Sequence, residues 1–313
     1  MKIRKNDIFL YGRKMLFQML EILYPRRCAV CDEIEVTGKG ICPLCKDKVH
    51  VAGEPACKKC GKPLVDERKE FCTDCGKKHH VYTQGKAVFV YEGGIRNSMY
   101  RFKYGNKREY AEFYANAAVE KYGVWLNKIK AEVLIPIPMY SRKKRLRGYN
   151  QAEVFARELG RKAGILVDEH LVRRVRNTIP QKELNESQRH RNLKNAFQLT
   201  ADIVEYKRVV LVDDIYTTGS TMDEVSKVLK ASGVENIYYI CISIDRMTGG
   251  HANMEVKNCK DCGRLFNYMG GAPLCDGCRK KLEQKFQEVK QYLDENPNAS
   301  VNQVSEDNDV SVK

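Results

Sequence analysis

The sequence predicts an α/β fold: a parallel sheet with small cysteine-rich modules before and after it. Three observations carry this. Three apolar runs, AEVLIPIP at 131–138, KRVVLVDD at 207–214 and NIYYICISI at 236–244, are separated by stretches that include helical patterns. The middle run ends in an acid pair and a hydroxyl-rich turn, DDIYTTGST. Twelve of the 13 cysteines form CxxC pairs, at Cys28/Cys31, Cys42/Cys45, Cys57/Cys60, Cys72/Cys75, Cys259/Cys262 and Cys275/Cys278.

The chain begins with a basic start and an apolar run, IFLYGRKMLFQMLEILY. Arg13, Lys14, Gln18 and Glu21 interrupt that run, and no small-residue cleavage site follows. Residues 1–27 therefore read as an amphipathic helix, packed on the body or lying on a membrane surface, rather than a signal peptide or a span. The expected compartment is the cytoplasm, where paired cysteines signify metal or redox chemistry rather than disulfides. The net charge of +15, from 55 basic and 40 acidic residues, favours polyanionic partners: nucleic acid, phosphorylated metabolites or both. The 43% hydrophobic content excludes a disordered chain.

Residues 28–80 are rich in Cys, Gly and Lys, with too little apolar periodicity for a core of their own. Ten residues separate the first two CxxC pairs and eleven the next two. Two such knuckles complete one tetrahedral zinc site, and a redox dithiol would instead sit beside a βαβ pattern. Pairing of adjacent knuckles is the simplest arrangement; an interleaved one is open. Gly61 and Gly76 suit the tight knuckle turns. His50, His79 and His80 are near enough to substitute, but the cysteines suffice.

Residues 81–247 hold the sheet. A strand is expected at 86–91, helices near 94–104 and 108–122, and a buried strand at 131–138. Trp125 and the Tyr/Phe residues between 99 and 114 fall at helical spacing and read as core rather than as a base-stacking platform. SRKKRLR (141–147) has five basic residues in seven and follows Pro136 and Pro138, so it reads as a loop leaving a strand. Ser141, Arg142 and Arg147 are its candidates for holding a pyrophosphate; a solvated basic loop or a nucleic-acid patch is the alternative. A helix at 150–163 closes at Gly164, and 171–198 is polar, basic and irregular. Cys241 stands alone in an apolar strand and reads as core.

In DDIYTTGST, Asp213 and Asp214 leave the sheet where ligands bind in open α/β folds. Thr217, Thr218, Gly219, Ser220 and Thr221 then open a helix, offering hydroxyls, free N–H groups and a positive dipole end to a phosphate monoester. The turn has no lysine and not the GxxxxGK[ST] spacing, which excludes a nucleoside triphosphate P-loop. Acids beside a phosphate cup suit a sugar phosphate.

This run resembles the binding motif of type I phosphoribosyltransferases. The resemblance implies that Asp213 and Asp214 contact ribose hydroxyls directly or through Mg²⁺, and that residues 217–221 hold the 5′-phosphate of phosphoribosyl pyrophosphate. IPIPMYSRKKRLRGYNQAEVFARELG (135–160), with Pro180, Gln181, Arg189, Asn192 and Phe197 further on, is similar to the ComF family of competence proteins. That family joins an N-terminal double zinc ribbon to a phosphoribosyltransferase-like domain, and its RGxNQ stretch stands here as Arg147, Gly148, Tyr149, Asn150 and Gln151. The resemblance implies a type I phosphoribosyltransferase-like sheet, a hood near 173–194 in which Arg189 and Asn192 are candidates, and service in DNA uptake during natural transformation, alongside single-stranded DNA and uptake-machinery proteins. Two functions follow: a ribose-phosphate-binding phosphoribosyltransferase, or a non-catalytic single-stranded DNA-binding factor on the same fold.

Residues 248–313 carry Cys259/Cys262 and Cys275/Cys278, a third four-cysteine site, so that about three structural zinc ions are expected. From 257 to about 306 this piece resembles a small zinc-ribbon protein of flagellar operons, whose ribbon runs into a helix. Gly249-Gly250 reads as a hinge. Leu282, Phe286, Val289 and Leu293 make an apolar stripe on the helix, expected to bury against the ribbon, the main body or a partner.

Overall fold

In the computed structural model, which describes residues 25–176, 193, 195–201, 205–245, 255–268, 274–297 and 299–308, the apolar runs are neighbouring strands of one parallel sheet. Two compact units divide between Met247 and Thr248. The expected N-terminal helix, most of the hood with Arg189 and Asn192, and Gly249-Gly250 lie outside the described residues.

In the first unit a short helix, α1 (Thr73–Lys77), precedes β1 (Gln84–Val90), α2 (Gly93–Tyr104), α3 (Tyr110–Lys128) and β2 (Val133–Pro136). Then come α4 (Ser141–Arg147), α5 (Gln151–Ala163), β3 (Leu166–Val167), the strand pair β4 (Val172–Arg174) and β5 (Phe197–Leu199), β6 (Arg208–Tyr216), α6 (Ser220–Ala231) and β7 (Asn236–Ile244). The sheet order is β1-β7-β6-β2-β3, parallel throughout. Val209, Val210, Leu211 and Val212 of β6 are all buried, because the sheet is covered on both faces.

The two faces are covered differently. On one, Val210, Val212, Ile240 and Leu134 pack under α2, α3 and α5 through Met99, Phe102, Tyr114, Phe155 and Leu159. On the other, Val209, Leu211, Ile237 and Tyr239 meet Met222, Val225 and Leu229 of α6, with Phe197 of β5 and the second cysteine module, through Cys57, Cys60 and Cys72. The second module thus stands where a further helix would be expected. It is bolted there: the Tyr239 hydroxyl donates to Cys60 O at 2.7 Å, and Gly85 N–H donates to Lys59 O at 2.8 Å. Gly61, at φ +71°, is pressed so close that a Cβ would stand 2.8 Å from Gly85 O. Gly76 lies in α1 with open space around its missing Cβ, so the expected need for glycine there is not borne out. The first module keeps a small cluster of its own around Cys28, Val30 and Cys45.

SRKKRLR is a helix, α4, which corrects its reading as a loop. A proline restricts itself and the residue before it, and Pro138 stands three positions ahead of Ser141. Tyr140 is extended at the N-cap, and Gly148 closes the turn in the left-handed region at φ +83°. The segment read as irregular contains the antiparallel pair β4–β5. Cys241 is buried in β7, as expected.

In the second unit, β8 (Glu255–Asn258) and β9 (Leu265–Tyr268) pair antiparallel, followed by α7 (Asp276–Glu295) and α8 (Val301–Asp307). Leu282, Phe286 and Leu293 are exposed on α7, so neither the ribbon nor α8 buries the stripe.

Candidate functional site

Asp213 and Asp214 sit near the C-terminal end of β6, both half-buried. Asp214 N–H donates to Asp213 Oδ1 at 2.8 Å, and the Asp214 carboxylate holds Lys103 Nζ at 2.7 Å. Burial, then the neighbouring Asp214 charge, pushes Asp213 up to about 8. Burial works against the charge of Lys103, yet Asp214 outweighs it and holds the ammonium above its usual range. Arg174 of β4 is opposed by burial and supported by Asp213. Two carboxylates therefore share a pocket edge with Lys103 and Arg174. Lys103 was read only as part of a helical pattern and Arg174 as one of several hood cations, because nothing local links them to residues 213 and 214.

Beyond Tyr216, Thr217, Thr218 and Gly219 lead into α6. Gly219 is the N-cap at φ +77°, and no side chain caps the helix. The Thr218 and Ser220 hydroxyls lie 3.0 Å apart. Thr217 and Thr221 are half-buried on either side of them. A Cβ on Gly219 would stand 2.6 Å from the Tyr216 hydroxyl and 3.1 Å from His80 Cε1. Glycine is needed here for the backbone conformation and for the wall behind it.

The RGYNQ stretch ties α4 and α5 to the sheet end. Asn150 caps α5 by accepting from Ala152 N–H at 3.2 Å, and its amide donates to Ile137 O at 2.9 Å. Tyr149 O–H donates to Phe102 O. Arg147 donates to Gln151 Oε1 at 2.8 Å and lays its guanidinium 5.0 Å from the centre of the Tyr104 ring. Tyr104 follows Lys103, so Arg147 stands on the same end of α2 as the partner of Asp214. Ser141 and Arg142 are exposed on the first turn of α4. Tyr100 and Tyr104 are each 59% exposed with ring centres 5.1 Å apart. Their reading as core is corrected: Met99, Phe102, Phe113 and Tyr114 face inward, while positions 100 and 104 fall on the opposite side of α2.

The cysteines assemble as three groups of four: Cys28, Cys31, Cys42, Cys45; Cys57, Cys60, Cys72, Cys75; and Cys259, Cys262, Cys275, Cys278. Within each group the sulfurs lie within 4.8 Å of one another, and the closest approaches are 3.8 Å for Cys31–Cys42 and 3.6 Å for Cys60–Cys72 and Cys262–Cys275. Zinc–sulfur bonds of about 2.3 Å give tetrahedron edges of about 3.8 Å, so the three groups fit zinc and adjacent knuckles pair. Burial raises the Cys28 thiol, but backbone N–H groups of Cys31, Cys42 and Val30 bring it down to about 7, as a metal-binding thiolate requires. His80 is no ligand; it bonds Asp223. Protein purified without added metal should carry about three zinc ions per chain, measured by elemental analysis with thiol titration. One ion or none, with every thiol free, would refute this.

Residues 19–76 match the family model described as a double zinc ribbon domain, and 148–268 match that of a phosphoribosyl transferase domain. Competence protein F of Haemophilus influenzae is 45% identical over 108 residues, 34% of this chain and 47% of that protein. DNA utilization protein YhgH of Salmonella typhi is 36% identical over 109 residues, covering 35% and 48% of the two chains. Competence protein ComFC of Bacillus subtilis is 27% identical over 154 residues, covering 48% and 59%. The chain thus spans about half the length of the first of these curated relatives. A purine phosphoribosyltransferase from Pyrococcus horikoshii Ot3 aligns over 45% of this chain and 79% of its own at 18% identity, with a TM-score of 0.28, too low to add to the topology above.

Proposed function

We propose, since this chain is a homologue of competence protein F, ComFC and YhgH, that it binds phosphoribosyl pyrophosphate or a related ribose 5-phosphate in the service of DNA uptake. One observation carries the reading: an acid pair and an uncapped helix N-terminus lie within one turn of chain at the end of β6. Asp213 and Asp214 accept from the ribose hydroxyls, and residues 217–221 give hydroxyl and N–H donors to the 5′-phosphate. On the far side, Ser141, Arg142 and Arg147 of α4 face the pyrophosphate, and Arg189 belongs to the hood by resemblance. A Mg²⁺ ion fits the acids, which are hard oxygen donors whose mutual repulsion exceeds what Lys103 offsets, as the raised Asp213 indicates. When bound it would neutralise charge between the acids and the pyrophosphate. Transfer from C1 passes through an oxocarbenium-like state, so the chain's share of catalysis is positioning and charge stabilisation.

Isothermal titration with phosphoribosyl pyrophosphate and Mg²⁺ tests the reading, and the absence of saturable heat would end it. The same titration on a chain truncated after Met247 should give an affinity within about threefold of the full chain, because the unit boundary falls there. Loss of binding on truncation would make the C-terminal ribbon part of the site.

Single-stranded DNA binding is a second reading, favoured by the Tyr100–Tyr104 pair beside Arg147 and the cations of α4. Bases stack on exposed rings while cations neutralise phosphates. Affinity for a thymidine oligomer should fall steeply between low and moderate salt. Tyr100→Ala with Tyr104→Ala should cost about tenfold on that oligomer and little on an abasic one. Equal loss on both, or none, would remove the rings from the interface.

A further inference from the structure

The segment leaving the second ribbon runs behind the phosphate loop. His80 is only 7% exposed, and its Nδ1 lies 2.9 Å from Asp223 Oδ2. Asp223 belongs to the first turn of α6, and its own N–H donates to Gly219 O at 2.8 Å. Its second oxygen accepts from Val81 N–H at 2.9 Å, and Lys78 Nζ stands 3.8 Å away. The imidazole stacks on Tyr82 at 4.9 Å, and the Tyr82 hydroxyl lies 2.8 Å from that of Tyr216, the residue before the loop. His80 Cε1 fills the space beside Gly219, and the adjoining Nε2 has no hydrogen-bond partner. One short strap from the ribbon therefore touches the loop at its entrance, its glycine and its first helical turn.

An acid in the first turn suits a helix dipole but repels a phosphate bound at the same end. Here the carboxylate is turned to His80, Val81 N–H and Lys78, which together occupy both its oxygens. We propose that His80 is a positioning residue: through Asp223 and Gly219 it fixes the loop that takes the 5′-phosphate and holds the Asp223 charge away from it. The inference rests on the ribose-phosphate reading and assigns the second ribbon a part in ligand recognition beyond stability. It commits the site to a ligand with a phosphate monoester, not to a bare sugar or base.

Titrate ribose 5-phosphate with Mg²⁺ into the full chain, His80→Ala and His80→Asn, and record zinc content and melting temperature for each. Asparagine can place an amide nitrogen where Nδ1 stands and keep the bond to Asp223. The expected result is an affinity loss of about tenfold for alanine, the scale of one hydrogen bond to a charged group. Asparagine should restore it to within about threefold, with zinc unchanged in both. Equal binding by His80→Ala would overturn the proposal. So would an asparagine variant as weak as alanine at normal zinc content, which can be read even if alanine does not fold. A native chain that fails to bind ribose 5-phosphate would refute the ribose-phosphate reading itself and not merely the role of His80.

Discussion

Replacing Asp213 and Asp214 together by asparagine is expected to lower the affinity for phosphoribosyl pyrophosphate with Mg²⁺ at least about a hundredfold, since hydrogen bonds to charged groups are worth about 1.5–3 kcal/mol each and two carboxylates are lost. The single variants should share the sign of that effect and differ in stability. Asp213 is held at about 8, so between its ordinary range near 4 and that value the folded chain keeps a proton the unfolded chain has released. Stability then declines as pH rises through this window, and Asp213→Asn removes the decline, raising the melting temperature by a few degrees at pH 8. Asp214→Asn strips a largely buried Lys103 of its partner and should lower it. Ligand binding needs the carboxylate, so affinity should rise with pH up to about 8, with proton release seen as a buffer-dependent heat. Unchanged affinity in the double variant, or melting shifts of the same sign in both single variants, would contradict this account.

The second large effect concerns Cys57 and Cys60. Serine at both should abolish the cooperative melting of the first unit along with its ligand binding. Cys57, Cys60 and Cys72 belong to the same core as Leu211, Val225 and Tyr239, so losing their metal uncovers one face of the sheet. Structural zinc in such modules contributes about 10–16 kcal/mol of apparent binding energy, and a typical domain has only about 5–15 kcal/mol of stability. Serine at Cys259 and Cys262 should leave the first unit melting as before, since those cysteines lie in the other compact unit. Circular dichroism melts of both variants decide it. A first unit that still melts cooperatively without Cys57 and Cys60 would show that the ribbon is an ornament on the sheet.

Local signals in the sequence carried much of this molecule. The apolar run of β6, the acid pair and the hydroxyl turn are contiguous, so strand, site and helix start could be read together. The cysteine spacings likewise gave three four-thiol groups with adjacent pairing. What stayed hidden depends on residues far apart. Lys103 meets Asp214 from another helix, and His80 reaches Asp223 across 143 residues. No window around residues 57–75 could show that their cysteines cover a sheet face. Tyr100 and Tyr104 were misread because helical spacing alone does not say which stripe turns inward. The prolines before α4 were given too long a reach.

One feature of the sheet bears on how the chain matures on the ribosome. Strand β1 is an edge strand whose only neighbour in the sheet is β7, and Thr83 and Ile237 at their starts are 154 residues apart. At roughly 5–20 residues per second, about 8 to 30 s of synthesis separate the two. Both N-terminal cysteine groups are complete before β1 has emerged, and each closes over fewer than about twenty residues, so loop closure costs little. The metal modules can thus be finished early in translation, whereas the strand that follows them must wait for nearly the whole first unit. For most of its synthesis the nascent chain is a pair of metallated knots trailing an unpaired β edge, which places the hazard of misassociation on residues 84–90.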